Sequence, residues 1–278
     1  MIFPHQNISG TATDEDDNSK IASFLGDANF PQVAQQDSKG ARIRLLQDLY
    51  QRYSRLGFSV STDRPVAIAG LETRLINAFE TSGGFGLFER YLGRSLLWIR
   101  APEAARLTKI QFGPAQRNPV PSWSWMAYEG AISFLDLPFG QVDWTVDVEF
   151  RSPDYSTSGN TPPASCGRMS SNRNGHLTKF RAVARPFDMA VAAAAAPHAS
   201  HFLSGIVWDD PTAPHDPGRQ LRCVVIGRLR SESDLPTQQH WVLVVRELGA
   251  GLYERVGAGS LPKHNISQGA QEMNASVC

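Results

Sequence analysis

Pro121-Ser122-Trp123-Ser124-Trp125, followed by the strand-like run Gly130-Ala131-Ile132-Ser133-Phe134-Leu135, sets two of the chain's six tryptophans one residue apart. On an extended strand this spacing projects both indoles from one side and turns Ser122 and Ser124 to the other. Tryptophan buries a large apolar area, so one reading is a β core; the other is an exposed platform on which a sugar or a base stacks. If the element is a latch between neighbouring layers, at least one indole is expected to be buried with its N–H paired, because an unpaired buried donor costs about 1–3 kcal/mol.

Downstream of this stretch the hydrophobic runs are short and rich in β-branched and aromatic residues. Together with it they predict strands near 121–126, 130–136, 143–150, 177–185, 202–208, 220–229, 239–247 and 251–257. Val142, Trp144, Val146, Val148 and Phe150 alternate with Asp143, Thr145, Asp147 and Glu149, the pattern of a strand with one wet face. Trp241-Val242-Leu243-Val244-Val245 is apolar throughout and suits a central strand covered on both sides. Leu248-Gly249-Ala250-Gly251 reads as the turn of the last hairpin.

Upstream the period changes from 2 to 3.6. From Ala41 to Leu56, Ile43, Leu45, Leu46, Leu49, Tyr50, Tyr53 and Leu56 share one helical face, and Gly57 supplies a stop. Thr62 or Asp63 caps a second helix, with Pro65 in its first turn, running to about Thr81. A third helix is expected from Gly86 to Trp98, with Gly83-Gly84-Phe85-Gly86 as the hinge before it rather than a phosphate loop. The predicted fold class is therefore α+β: an N-terminal helical layer packed on an antiparallel β-sandwich or barrel-like unit. Its expected divisions are a disordered polar tail over 1–40, helices over 41–100, and a β-rich unit over 101–262 with a disordered Ser/Pro/Gly-rich insertion at about 152–176. A flexible tail over 263–278 completes the expectation.

The charges exclude some functions. Lys plus Arg and Asp plus Glu both number 27 in 278 residues, so no global field attracts nucleic acid or an anionic membrane. No apolar run approaches the roughly 20 residues of a membrane span. Cys166, Cys223 and Cys278 are odd in number and widely scattered, without the paired spacing of a metal site, and reduced thiols in a cytoplasmic protein are expected. The sequence holds no Gly-x-Ser-x-Gly elbow, P-loop, His-Glu-x-x-His or dinucleotide fingerprint. His198 and His201 near Asp209 and Asp210, the acidic group Asp136, Asp143, Asp147 and Glu149, and His240 before its apolar strand read as loop, solvated-face and strand-edge residues. No catalytic, cofactor-binding or metal-ligating residue is assigned, and no cofactor is expected.

Taken in order, several segments carry a resemblance. They are Tyr53-Ser54, Thr62-Asp63-Arg64 with Ala67-Ile68-Ala69-Gly70-Leu71, Gly86-Leu87-Phe88 leading to Arg94-Ser95-Leu96-Leu97-Trp98, the Pro-Ser-Trp-Ser-Trp element, and Tyr253-Glu254-Arg255-Val256-Gly257. The set resembles the region downstream of the HET (heterokaryon incompatibility) domain in large fungal proteins and covers roughly residues 41 to 260. In that family the TIR-like HET domain, which triggers cell death after non-self recognition, precedes these segments. Here about forty residues do, so the resemblance implies the C-terminal half of such a protein. It implies a non-catalytic recognition or regulatory module whose partner is a protein or a full-length HET-type relative. The competing reading is a small-ligand-binding protein or an unrecognised enzyme with a pocket in the β-rich half.

Overall fold

The computed structural model describes residues 37–113, 120–145, 180–187, 205–212, 220–231, 235–266 and 273–277. The expectations for 1–36 and 152–176 lie outside the described residues, as do His198, His201, Asp147, Glu149, Cys166 and Cys278.

Helix α1 spans Lys39–Ser54, and Ser38 caps it by accepting the Ala41 N–H at 3.2 Å. The polar tail expected to residue 40 therefore ends at this cap. Ile43, Leu46, Leu49 and Tyr50 form the buried stripe. The helix stops at Arg55, whose N–H reaches the Arg52 carbonyl, so Gly57 is not needed as a left-handed stop. Helix α2 spans Arg64–Ala78 with Pro65 in its first turn; Asp63 precedes it without a side-chain capping bond.

The third helix is largely replaced. Strands β1 (Gly83–Gly84) and β2 (Leu87–Phe88) form a hairpin whose two-residue turn, Phe85-Gly86, has φ of 54° and 80°. Two positive values make a turn that matches strand twist, and the hinge expected there is this turn. A Cβ on Gly86 would collide with the Trp125 indole nitrogen, so the close approach also requires glycine. A 3-10 turn at Glu89–Tyr91 and a one-turn helix α3 (Leu92–Leu96) then lead into β3 (Trp98–Arg100). Leu87, Phe88 and Trp98 are buried on paired strands, which the helical periodicity of their spacing did not reveal.

Short pairs join β4 (Thr108–Lys109) to β5 (Tyr128–Glu129) and β3 to β6 (Ile132–Phe134). The larger sheet comprises β7 (Val142–Trp144), β8 (Phe180–Pro186), β9 (Gly205–Trp208), β10 (Leu221–Leu229), β11 (Gln239–Gly249), β12 (Leu252–Pro262) and β13 (Met273–Val277). Strand β10 pairs with β11, β11 with β12, β12 with β13, β13 with β8 and β8 again with β10, closing a ring. Strands β7 and β9 extend it from β10 and β12. Every pair is antiparallel except β12–β13. Register shifts at Val225/Gly227 and Val244/Val245 supply the bends that closure requires.

Residues 263–278 do not form a free tail throughout, because β13 lies between β8 and β12 with Ala275 and Val277 buried. Strand β11 is covered on both faces: Trp241, Leu243 and Val245 join the main core, while Val242 packs with Cys223, Val225, Leu261 and Ile266 in a second cluster. The main core runs without a break from α1 and α2 into the ring, so the helical layer and the β unit share one interior.

The tryptophan element is core, but not strand. Ser124 N–H bonds the Pro121 carbonyl at 3.0 Å, and the Ser124 hydroxyl accepts the Met126 N–H, starting a 3-10 turn at Trp125–Ala127. A serine hydroxyl that serves the local backbone competes with strand pairing. Trp123 and Trp125 are both fully buried, which rules out the exposed platform. Neither indole N–H finds a hydrogen-bond partner among the described residues, contrary to the paired donor expected of a latch. Their contribution is ring area. Trp125 packs on Tyr50 and Tyr53 of α1, Trp123 on Phe85 and Phe180.

Replacing either tryptophan by Ala should therefore destabilise the fold by about 3–5 kcal/mol. Trp125→Phe should cost distinctly less, since it removes an unpaired buried donor along with part of the ring. Urea unfolding of the three variants checks both expectations.

Candidate functional site

The framework that positions the surface is built around one buried cation. Arg255 on β12 is 1% exposed, and its guanidinium lies 3.2 Å from the centre of the Trp98 ring. Its Nε donates to Asp209 Oδ2 at 3.1 Å and its Nη2 to Asp209 Oδ1 at 3.2 Å. Nη1 donates to the Leu96 carbonyl and Nη2 also to the Trp98 carbonyl. The backbone is held as well: the Arg255 N–H bonds the Ser122 hydroxyl, and the Tyr128 hydroxyl bonds the Arg255 carbonyl. Burial holds the Asp209 carboxyl above the usual carboxylate range, although Arg255 draws it part of the way down. One side chain thus ties β12, the end of β9, the α3–β3 junction and the tryptophan element together.

A second polar lock sits at the hairpin. Glu72 of α2 accepts the Gly86 N–H at 2.6 Å and also faces the Phe85 N–H. Burial pushes its carboxyl up to about 7 despite those two donors. This lock and the Thr81 hydroxyl, which accepts the Arg90 N–H, set the chain direction into residues 89–94.

Those residues form one wall of a cleft of about 1060 Å³ between the start of α1, the α3 turn and the β7 edge. Its cations are Lys39, Arg90, Arg94 and Arg230; its aromatic groups are Tyr91, which is buried, and Phe139 and Trp144, 40% and 44% exposed. Arg94 is buried and donates to the Leu137 and Pro138 carbonyls, fixing the loop that carries Phe139. Phe139 is flanked by the Arg44 and Arg94 guanidinium groups, 5.2 and 4.2 Å from its centre. Trp144 lies against the backbone of Gly93, where a Cβ would collide with the indole. The dry face expected for Trp144 is therefore only half realised: Val142 is buried, while Trp144 opens into the cleft. Arg230 donates to Asp143 at 2.9 Å.

The other sequence candidates do not converge. His240 is buried, its Nδ1 2.9 Å from the Gln238 carbonyl, and burial lowers its pKa. Cys223 is buried and its thiol is pushed up to about 11, far from a reactive thiolate. Asp210 serves the Thr212 N–H and hydroxyl. Among the described residues no group of three or more His, Cys, Asp or Glu side chains is placed to hold a metal ion, and no helix is long and apolar enough to cross a membrane. No family model, no curated protein and no solved structure matches this chain.

The sequence reading overlooked Asp209 as an ion-pair partner and the Arg94, Phe139 and Trp144 grouping. Asp209 stood out only beside Asp210 and the histidines, and the cleft residues are up to 105 positions apart before Arg230 is counted, so spacing carried no signal.

Arg255→Met should destabilise the fold by about 3–5 kcal/mol, because it leaves the Asp209 carboxylate buried and unpaired. The double variant with Asp209→Leu should recover part of that loss, as measured by denaturant unfolding. For Glu72 the sign follows from its raised pKa. Between about pH 4.5 and 7 the folded chain holds a proton that the unfolded chain has released, so stability falls as pH rises through that window and is flat above it. Glu72→Gln should remove this slope and leave the variant more stable than the parent at pH 8, readable from thermal melts across the pH range.

Proposed function

We propose that this chain is a recognition or regulatory module of the kind found downstream of the HET domain in fungal heterokaryon incompatibility proteins. It works in the cytoplasm through a protein partner or a full-length HET-type relative, without chemistry of its own. The observation that supports the reading is the convergence of the resembling segments on one framework. The Tyr53 hydroxyl donates to the Arg64 carbonyl, Trp125 packs on Tyr53, and the Trp98 Nε1 donates to the Trp123 carbonyl. Ser122 and Trp98 both meet Arg255, as described above. Segments that lie far apart in sequence and share only this framework behave as one structural signature, which is what a family resemblance scattered over 41 to 260 requires.

A second reading, a small-ligand-binding protein or enzyme, draws on the cleft. Its convergent arginines favour binding, although the cleft opens between α1 and the β7 edge rather than inside the β-rich half.

Two experiments test the first reading. Purified protein incubated with NAD should leave the dinucleotide intact; steady nicotinamide release that a point substitution abolishes would overturn the non-catalytic assignment. Expression in a filamentous fungus carrying a full-length HET-type protein should alter the death response when incompatible strains fuse. An unchanged response, with the chain present and folded, would overturn the recognition role.

A further inference from the structure

We propose that the cleft beside α1 binds a planar organic anion, an aromatic ring carrying a phosphate or carboxylate group. The inference stands apart from the recognition reading, since it concerns the chemistry of the cleft and not the partner of the module.

The first ground is charge. In a chain with equal numbers of acidic and basic residues, Lys39, Arg90, Arg94 and Arg230 line one cavity, with Arg44 just behind Phe139. The facing acids are fewer. Glu89 lies in the wall, Asp143 is engaged by Arg230, and Asp136 attracts Arg94. Lys39 has no hydrogen bond or ion pair to the described residues, and Arg90 uses Nη1 on the Phe79 carbonyl rather than on a carboxylate. Lys39 also occupies the first turn of α1, which has no acidic residue, and there the helix dipole disfavours a cation. This arrangement holds positive charges together at a cost, and a bound anion would offset it.

The second ground is shape. Trp144 is backed by the Gly93 and Gly227 backbones, which fixes the indole, yet it remains 44% exposed within the cleft. An immobilised, half-open indole is a stacking surface for a flat ring. Arg44 and Arg94 lie 5.2 and 4.2 Å from the Phe139 centre, whereas among the described residues Trp144 has only Arg94 over its ring, at 5.8 Å, so Trp144 is the platform and Phe139 the side wall. A volume of about 1060 Å³ suits a ligand of nucleotide size. The concave shape with one fixed platform favours a small molecule over an extended acidic protein segment.

The test is titration of the full chain with adenosine 5′-monophosphate and with 1-naphthoate, followed through the Trp144 indole N–H resonance assigned with Trp144→Phe. Adenosine, 1-naphthalenemethanol, inorganic phosphate and poly-glutamate serve as comparisons. At least one of the two ring anions should shift that resonance saturably, and which one responds distinguishes phosphate from carboxylate. Its neutral counterpart should bind at least about tenfold more weakly, a difference of about 1.4 kcal/mol. Lys39→Glu should weaken binding by a similar factor while leaving the melting temperature unchanged or raised, because a carboxylate in that first turn suits the helix dipole. Three results would overturn the proposal: no saturable shift with either ring anion, equal binding of neutral and charged rings, or binding of poly-glutamate alone.

Discussion

A guanidinium with no access to water holds this fold in register. Desolvating a cation costs several kcal/mol, and that cost is recovered only where geometry is close to ideal and every donor is used. Arg255 comes close to the condition: a two-point contact to Asp209 and two backbone carbonyls engage four of its five N–H donors, and the face of Trp98 covers the group. Because it stands on β12 and its partners come from the end of β9 and the α3–β3 junction, no one of these can shift without stranding a buried charge. Lysine could not substitute. A single ammonium lacks the planar fork that reaches a carboxylate and two carbonyls at once.

Around this polar centre the apolar packing has a different logic. The indoles of Trp123 and Trp125 sit in the core by area alone, with their N–H groups unpaired, while Trp98 uses its N–H to fasten the Trp123 carbonyl. These three tryptophans therefore divide the work: one positions backbone, two fill volume. The 3-10 turn started by Ser124 is what points Trp125 toward α1, and Gly86 leaves the room for it. The β1–β2 hairpin, its glycine turn and the tryptophan turn are thus mutually dependent, and Glu72 couples them to α2.

The cleft inherits its precision from this interior. Arg255 fixes the Leu96 and Trp98 carbonyls at the end of α3, and Arg94, in the middle of that helix, fixes the Leu137–Pro138 loop. Trp144, which rests on Gly93, is consequently placed by the same short helix that carries Arg94. Surface chemistry that depends on a few exposed side chains is held to a rigid floor, the arrangement that binding requires.

The sequence by itself determined elements whose period is local. The stripe from Ile43 to Tyr50, Pro65 in the first turn of α2, the continuously apolar β11 and the Gly-rich turn into β12 are all legible, because neighbours along the chain set them. The tertiary structure decided the rest. Leu87 and Phe88 became a strand because Phe85-Gly86 turns the chain back on Gly84, and β13 became part of a closed ring because β8 and β12 both left an edge for it. Trp123 and Trp125 kept their burial but not their strand, since Ser124 served the local backbone instead of a neighbour. Asp209 acquired its role only when β9 brought it to Arg255, and Arg94, Phe139 and Trp144 met only when loop and helix closed on one another. Contacts between distant residues depend on how the chain folds back, and periodicity carries no record of that.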